Sequence, residues 1–211
     1  MRTFKKYLYE SLMSYDADVP ANIKELLNSL VNELNFTQLQ IVDDNDPNRF
    51  DIAKANEQLL IDSFNKNTVE YKALSSREYY GLTNNGTNWN SLSAKEQSTF
   101  DTENGDIVIV DENDKPVCFV DVKISKNELG VISLGSIANF NDDGYYICIN
   151  KEARQVKFVS HKAVVKAVKE NEDLLNPVLR GRYEGYPIKW NGKDLTSEYF
   201  VMGKTIGQIF K

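Results

Sequence analysis

The sequence predicts an α+β (mixed α/β) protein. Its central sheet is expected to be mixed and flanked by helices. Three observations indicate this class. Residues 20–34 repeat apolar side chains at helical spacing, residues 104–125 have the pattern of a β-hairpin, and two further strand-like runs precede a helical segment at 161–174. Grouped strands with flanking helices favour such a sheet over a doubly wound repeat.

The N-terminal part is predicted to be mainly helical. Residues 3–14 and 20–34 have helical patterns, and a turn at 43–48 separates them from a third helix at 51–66. We therefore expect three regions, which are a helical accessory region at 1–45, an α/β core at 46–175 and an extension packed on the core at 176–211.

The remaining elements follow from residue alternation and turn-forming residues. They are strands at 68–74, 106–111, 116–124, 144–150 and 155–160, and helices at 133–140 and 161–174. The stretch 83–99 is rich in Asn, Ser and Thr, so we expect a loop there with at most one helical turn. Short strands or loops are expected in the C-terminal extension.

The composition indicates a cytoplasmic protein with no membrane association. No run approaches the roughly 18 apolar residues of a membrane span, the N-terminus lacks the apolar stretch of a secretory signal, and two cysteines are too few for a disulfide framework. The net charge is −6, with 13 basic and 24 acidic residues in 1–150 but 12 and 7 in 151–211. The basic part, including Lys162, Lys166, Arg180 and Arg182, is either a phosphate-facing surface or a solvated face.

The hairpin at 104–125 carries three ionic residues in an apolar setting. Alternation places Asp121 and Lys123 side by side on one face of the second strand, and Asp106 begins the first strand. Both faces are otherwise apolar, as in a sheet covered on both sides, so these charges need a partner, a cation or a cleft. Two converging carboxylates suit Mg²⁺, which prefers oxygen ligands. A neighbouring ammonium can position water, stabilise a phosphate or serve as a base.

These residues resemble the motif of the PD-(D/E)XK nuclease superfamily. The match consists of Gly105–Asp106 and Asp121–Val122–Lys123, with 14 residues between the two aspartates, and Gly105 stands where the family name has proline. The family core order of helix, three strands, helix and strand agrees with the elements predicted from about 51 to 160. The resemblance implies a restriction-endonuclease-like core and the activity of a Mg²⁺-dependent DNA endonuclease, with Mn²⁺ as a substitute metal. It also implies that the protein can work as a homodimer.

The resemblance also implies a third acid from the first core helix. Glu57 is the candidate because it interrupts an apolar stripe formed by Ala53, Leu60, Ile61 and Phe64. Glu70 and Glu103 are weaker alternatives. In this scheme Asp106, Asp121 and Glu57 hold the metal, and Lys123 aligns or activates water.

Each candidate also has an ordinary structural interpretation. Asp106 is a common residue type at a strand entrance, Asp121 and Lys123 would form a surface ion pair, and Glu57 would pair with Lys54 in solvent. Two rival functions follow. One is a catalytically inactive nucleic-acid-binding or assembly protein with the same fold, and the other is a Mg²⁺ enzyme acting on a small phosphate ester.

Overall fold

The protein contains two sheets and six α-helices within the residues that the computed structural model describes, which are 13–15, 19–43, 45–84, 86, 88–125, 129–170, 178–180 and 183–189. The strands are β1 (Met13–Tyr15), β2 (Tyr71–Ser75), β3 (Ile107–Asp111), β4 (Pro116–Ser125), β5 (Leu129–Ser133), β6 (Gly144–Asn150), β7 (Gln155–Ser160), β8 (Val178–Arg180) and β9 (Tyr183–Lys189). The helices are α1 (Ala21–Val31), α2 (Arg49–Asn67), α3 (Ser76–Thr83), α4 (Ala94–Asn104), α5 (Leu134–Asn139) and α6 (His161–Glu170).

The larger sheet is mixed and has six strands in the order β1-β7-β6-β4-β3-β2, and the smaller one has the order β5-β9-β8. β4 and β6 are parallel, and the chain between them passes through β5 and α5. The prediction of an α+β fold with a mixed sheet flanked by helices is confirmed.

The β3–β4 hairpin lies inside the larger sheet, and its two faces are buried as predicted. Its alternating residues enter two apolar clusters. One contains Ile107, Ile109, Cys118 and Val120, and the other contains Val108, Val110 and Phe119. The antiparallel ladder ends where Ile107 pairs with Val120, whereas β4 continues beside β6 to Ser125. The second half of β4 therefore runs past the start of β3 and has β6 as its ladder partner.

Helices α1 and α2 cover the first of these faces. The fully buried residues Leu27 and Leu30 of α1 and Leu60 and Phe64 of α2 belong to the same cluster as Val120. Their spacing matches the predicted helical stripes. Because α1 shares this core, the predicted accessory region is packed directly on the sheet at least over α1.

Helices α3 and α4 lie between β2 and β3, and α4 contradicts the loop predicted at 83–99. Residues 94–99 begin α4, an 11-residue helix. Its start is fixed by a capping box, in which the Ser93 hydroxyl accepts from the Glu96 amide and the Glu96 carboxylate accepts from the Ser93 amide. Ser75 and Glu78 form the same box at the start of α3. Local capping thus produces a helix where apolar periodicity gives no signal.

The two ends of the chain are described only in part. Met13–Tyr15 forms β1, which pairs in parallel with β7, so the helix predicted at 3–14 is wrong for its last residues, and 3–12 lie outside the described residues. Helix α6 is described to Glu170, and residues 171–174 of its prediction are likewise outside. Within the described ranges, no helix combines the length and apolar character that crossing a membrane requires.

Candidate active site where β3 and β4 diverge

The Gly105–Asp106 turn crosses close to β4 and is held there by backbone contacts. Gly105 has φ +74° and ψ −173°, a backbone region that is almost restricted to glycine. A Cβ at this position would lie 2.6 Å from the Val120 carbonyl oxygen. The Asp106 amide donates to that oxygen at 2.8 Å. Glycine at position 105 is therefore required by the close approach of two backbones.

The Asp106 side chain completes the hydrogen bonding of β4 beyond the end of the ladder. Its Oδ2 accepts from the Val122 amide at 2.7 Å, so Asp106 contacts β4 on both sides of Asp121. Burial, and then the charges of Asp121 and Glu57, hold the pKa of Asp106 well above its usual range, while Lys123 and the Val122 amide act in the opposite direction. Asp106 therefore has a structural task and also belongs to a group of like charges.

Asp121 and Lys123 form an ion pair within the sheet, which confirms that they lie side by side. The Lys123 Nζ is 2.5 Å from Asp121 Oδ1, and only 7% of Asp121 is exposed. Burial lowers the pKa of Lys123, but the Asp121 and Asp106 charges more than reverse this effect and leave it raised. Lys123 is therefore an ammonium at neutral pH, which can donate hydrogen bonds but cannot accept a proton.

Glu57 extends from α2 toward this group and is half-buried. Burial raises its pKa to about 7, the charges of Asp101 and Asp121 add to the increase, and Lys54 and Lys123 oppose it. Glu57 is half-buried, so a pair with Lys54 in solvent does not describe its position. The structure brings Glu57, Asp106, Asp121 and Lys123 into one electrostatic neighbourhood.

Asp101 is a further acid near this site that the sequence did not single out. It lies on α4, four residues before Gly105, whose amide donates to the Asp101 carbonyl oxygen at 2.8 Å. Its Oδ1 accepts from the Ser76 hydroxyl at 2.5 Å. Burial raises its pKa, against the effects of Ser76 and Lys54. The available sequence signal was the S-x-x-E capping box at Ser93, which predicts the helix that carries Asp101.

The free oxygens of these acids are chemically suited to a hard cation. Among the described residues, Asp106 Oδ2 and Asp121 Oδ1 have hydrogen-bond donors, whereas Asp106 Oδ1, Asp121 Oδ2 and the Glu57 carboxylate have none. Carboxylates that lie near one another in partial burial repel each other, and a divalent ion between them offsets that repulsion. The described residues nevertheless contain no group of three or more His, Cys, Asp and Glu side chains arranged to hold a metal. The fit is therefore one of charge and donor type, with the side chains not drawn together as ligands.

The residues beside Asp121 on β6 and α6 form an aromatic cluster. Tyr146 of β6 is the register partner of Asp121, and its hydroxyl lies 3.0 Å from His161 Nδ1. Phe140 packs on both rings, with centroid distances of 5.3 and 5.4 Å. Burial lowers the pKa of His161, against the charges of Asp142 and Asp121. His161 does not cap α6, because Ser160 accepts from the Ala163 amide and has that role.

Several other residues of interest have structural roles, are exposed or lie outside the described residues. Trp89 packs edge-on against Tyr80 and Phe100, with ring centroids 5.4 and 5.9 Å away, so it anchors α3 to α4. Ser133 caps α5 through the Ser136 amide. Glu70 and Glu103 are exposed. Arg182 lies outside the described residues, and the side chain of Arg180 does too.

Comparisons with protein-family models, curated proteins and solved structures find no match to this chain. A fold alone does not identify a function, so the functional evidence lies in the chemistry of the site and in its sequence motif.

Proposed function

We propose that the protein is a Mg²⁺-dependent nuclease that hydrolyses phosphodiester bonds, most specifically a cytoplasmic DNA endonuclease. One observation supports this most strongly. Three carboxylates from different elements, Glu57, Asp106 and Asp121, interact electrostatically beside the Lys123 ammonium. Like charges at this spacing destabilise a fold, and acids with perturbed pKa values are typical of catalytic sites.

In this proposal Asp106, Asp121 and Glu57 hold the metal through the oxygens that have no donor in the described part of the chain. Bound Mg²⁺ would polarise the scissile phosphate and favour ionisation of a water. Lys123 is an ammonium fixed by Asp121, so it orients the attacking water or stabilises charge on the phosphate. The aromatic cluster of Tyr146 and Phe140 keeps the Asp121 side of the site dry, which strengthens these electrostatic effects.

The proposed substrate and assembly follow from the resemblance of the sequence motif to the PD-(D/E)XK nuclease superfamily. DNA is the expected partner, and a homodimer would place two such sites on the two strands of a duplex. Mn²⁺ would replace Mg²⁺, because both ions accept oxygen ligands.

The test is cleavage of a supercoiled plasmid with Mg²⁺, with Mn²⁺ and with EDTA. We expect cutting with either metal, none with EDTA, and a loss of at least about 100-fold in Asp121→Asn and Lys123→Met, as for other electrostatic catalytic groups. Asp62→Asn is the matched control, because it removes one charge from an exposed position of α2. Equal cutting by wild type and Asp121→Asn would contradict the proposal.

A second candidate is a catalytically inactive nucleic-acid-binding or assembly protein with the same fold. Two observations favour it, namely that Asp106 and Asp121 each have a protein partner and that no complete ligand group is present among the described residues. This candidate predicts DNA binding without cutting under every metal condition, so the plasmid assay with a parallel binding measurement separates the two.

A further inference from the structure

Helix α6 presents three lysines on one exposed face. Lys162, Lys166 and Lys169 are spaced i, i+4 and i+7, so at 100° per residue they lie within a narrow arc. Val164 points the opposite way and is 1% exposed, whereas all three lysines are exposed. The helix is thus fixed to the core by its apolar side and offers a basic stripe to solvent.

A shallow cavity of about 300 Å³ lies against this stripe. It is lined by Asp142, Lys162, Val165, Lys166 and Lys169. Lys162 is 3.0 Å from Asp143, but these side chains are 64% and 72% exposed. An exposed pair of this kind contributes little, so an incoming anion can replace it. Asp142 is the one acid among the lining residues, and it will disfavour phosphate near the start of the helix.

The stripe begins beside the proposed active site. His161, the residue before Lys162, is 2% exposed, and its ring meets the hydroxyl of Tyr146, the register partner of Asp121. Helix α6 therefore starts against the same sheet face that carries Asp121. The first lysine of the stripe thus follows directly on a residue that packs against this face.

We propose that the lysine stripe of α6 binds the sugar–phosphate backbone of duplex DNA and directs the duplex to the Asp121 site. This inference rests on the proposed function and names its substrate-binding surface. Lys162 to Lys169 span about 10 Å of helix at 1.5 Å per residue. One strand of a duplex places about three phosphates in that length. The whole chain carries a charge of −6, so this binding depends on a local basic surface.

The test is fluorescence anisotropy of a labelled duplex in EDTA, where the proposed enzyme does not cut. The variant Lys162→Gln, Lys166→Gln, Lys169→Gln is compared with Lys66→Gln, Lys72→Gln, Lys115→Gln, which removes the same charge at exposed positions elsewhere. We expect the α6 variant to lose at least about tenfold in affinity at 100 mM salt and to reduce the salt slope by about 2.7, since each phosphate contact contributes about 0.9. The control should remain within about twofold of wild type.

Three results would overturn the inference. The first is an equal loss of affinity in the two variants, and the second is no binding of the duplex by wild type. The third is that wild type binds a poly-glutamate peptide of equal charge as tightly as the duplex, and that the α6 variant loses the same affinity for both. Failure of the proposed function has a different signature, because wild type would then bind the duplex through α6 without cutting it. Circular dichroism of both variants checks that the fold is retained.

Discussion

Replacing Gly105 by alanine tests the contact that places Asp106 against β4. The backbone at φ +74° and ψ −173° costs a non-glycine residue about 1–3 kcal/mol. The new Cβ would also lie 2.6 and 2.8 Å from the Val120 oxygen and carbonyl carbon and 3.0 Å from the Phe140 ring. These atoms belong to an inner strand and a buried ring, so overpacking adds about 1–3 kcal/mol. We expect a total loss of about 4 kcal/mol in the free energy of unfolding.

Two other glycines separate the causes of this loss. Gly86 has φ +76° but open space around its Cβ position. Gly86→Ala should therefore lower the free energy of unfolding only through the unfavourable backbone conformation, by about 1–2 kcal/mol. Gly81 lies in α3 with no atom near its Cβ position, so Gly81→Ala should stabilise by about 0.5–1 kcal/mol through helix propensity.

The assay is urea unfolding of the four proteins, followed by circular dichroism and fluorescence. The expected order of stability is Gly81→Ala, wild type, Gly86→Ala and Gly105→Ala. If Gly105→Ala falls within about 1 kcal/mol of Gly86→Ala, the close approach of Gly105 to β4 is not a constraint, and the account of how Asp106 is positioned is refuted.

Three more predictions concern the acids and the cap of α4. The fold favours the neutral form of Glu57, so the contribution of Glu57 to stability is present below its ordinary pKa of 4.5 and is lost as the pH rises toward 7. At 1.36 kcal/mol per pH unit, Glu57→Gln in EDTA should raise the free energy of unfolding by about 3 kcal/mol at pH 8 and leave it unchanged at pH 4. A gain equal to that of Asp62→Asn would contradict this. Asp106→Asn keeps an acceptor for the Val122 amide and removes a half-buried charge that lies near other acids. Urea unfolding at pH 8 in EDTA should therefore show a stabilised protein, and a destabilised one would show that the charge itself holds the turn. Ser93→Ala should cost about 1 kcal/mol in thermal unfolding by removing the capping box, with Ser98→Ala, at an exposed position inside α4, expected to be neutral.

The hairpin and its charges could be predicted because strand alternation is a local property. Once 116–124 is read as a strand, Asp121 and Lys123 must share a face, and the structure pairs them at 2.5 Å. The same reasoning identified Glu57, because a polar residue within an apolar helical stripe must lie at the edge of a buried surface.

The part of the site that escaped prediction depends on packing and on capping. Helix α4 has Phe100 as its only large apolar residue, so periodicity gives no signal, and only the Ser93–Glu96 box marks its start. Asp101 becomes relevant because α4 then leads directly into Gly105. The positive φ of Gly105 and the distance of its Cβ position from Val120 arise from tertiary contact, which sequence spacing does not encode.

The charge on Asp106 is more than its structural task requires. Capping the Val122 amide needs only an acceptor, and the neutral oxygen of asparagine would accept that hydrogen bond without the cost of burial or repulsion. The carboxylate instead lies near Asp121 and Glu57, each of which raises its pKa. A strand entrance therefore carries an electrostatic cost that its hydrogen bonding does not explain. A cation shared by these oxygens would offset that cost, and this is the physical reason to expect metal chemistry at this point of the fold.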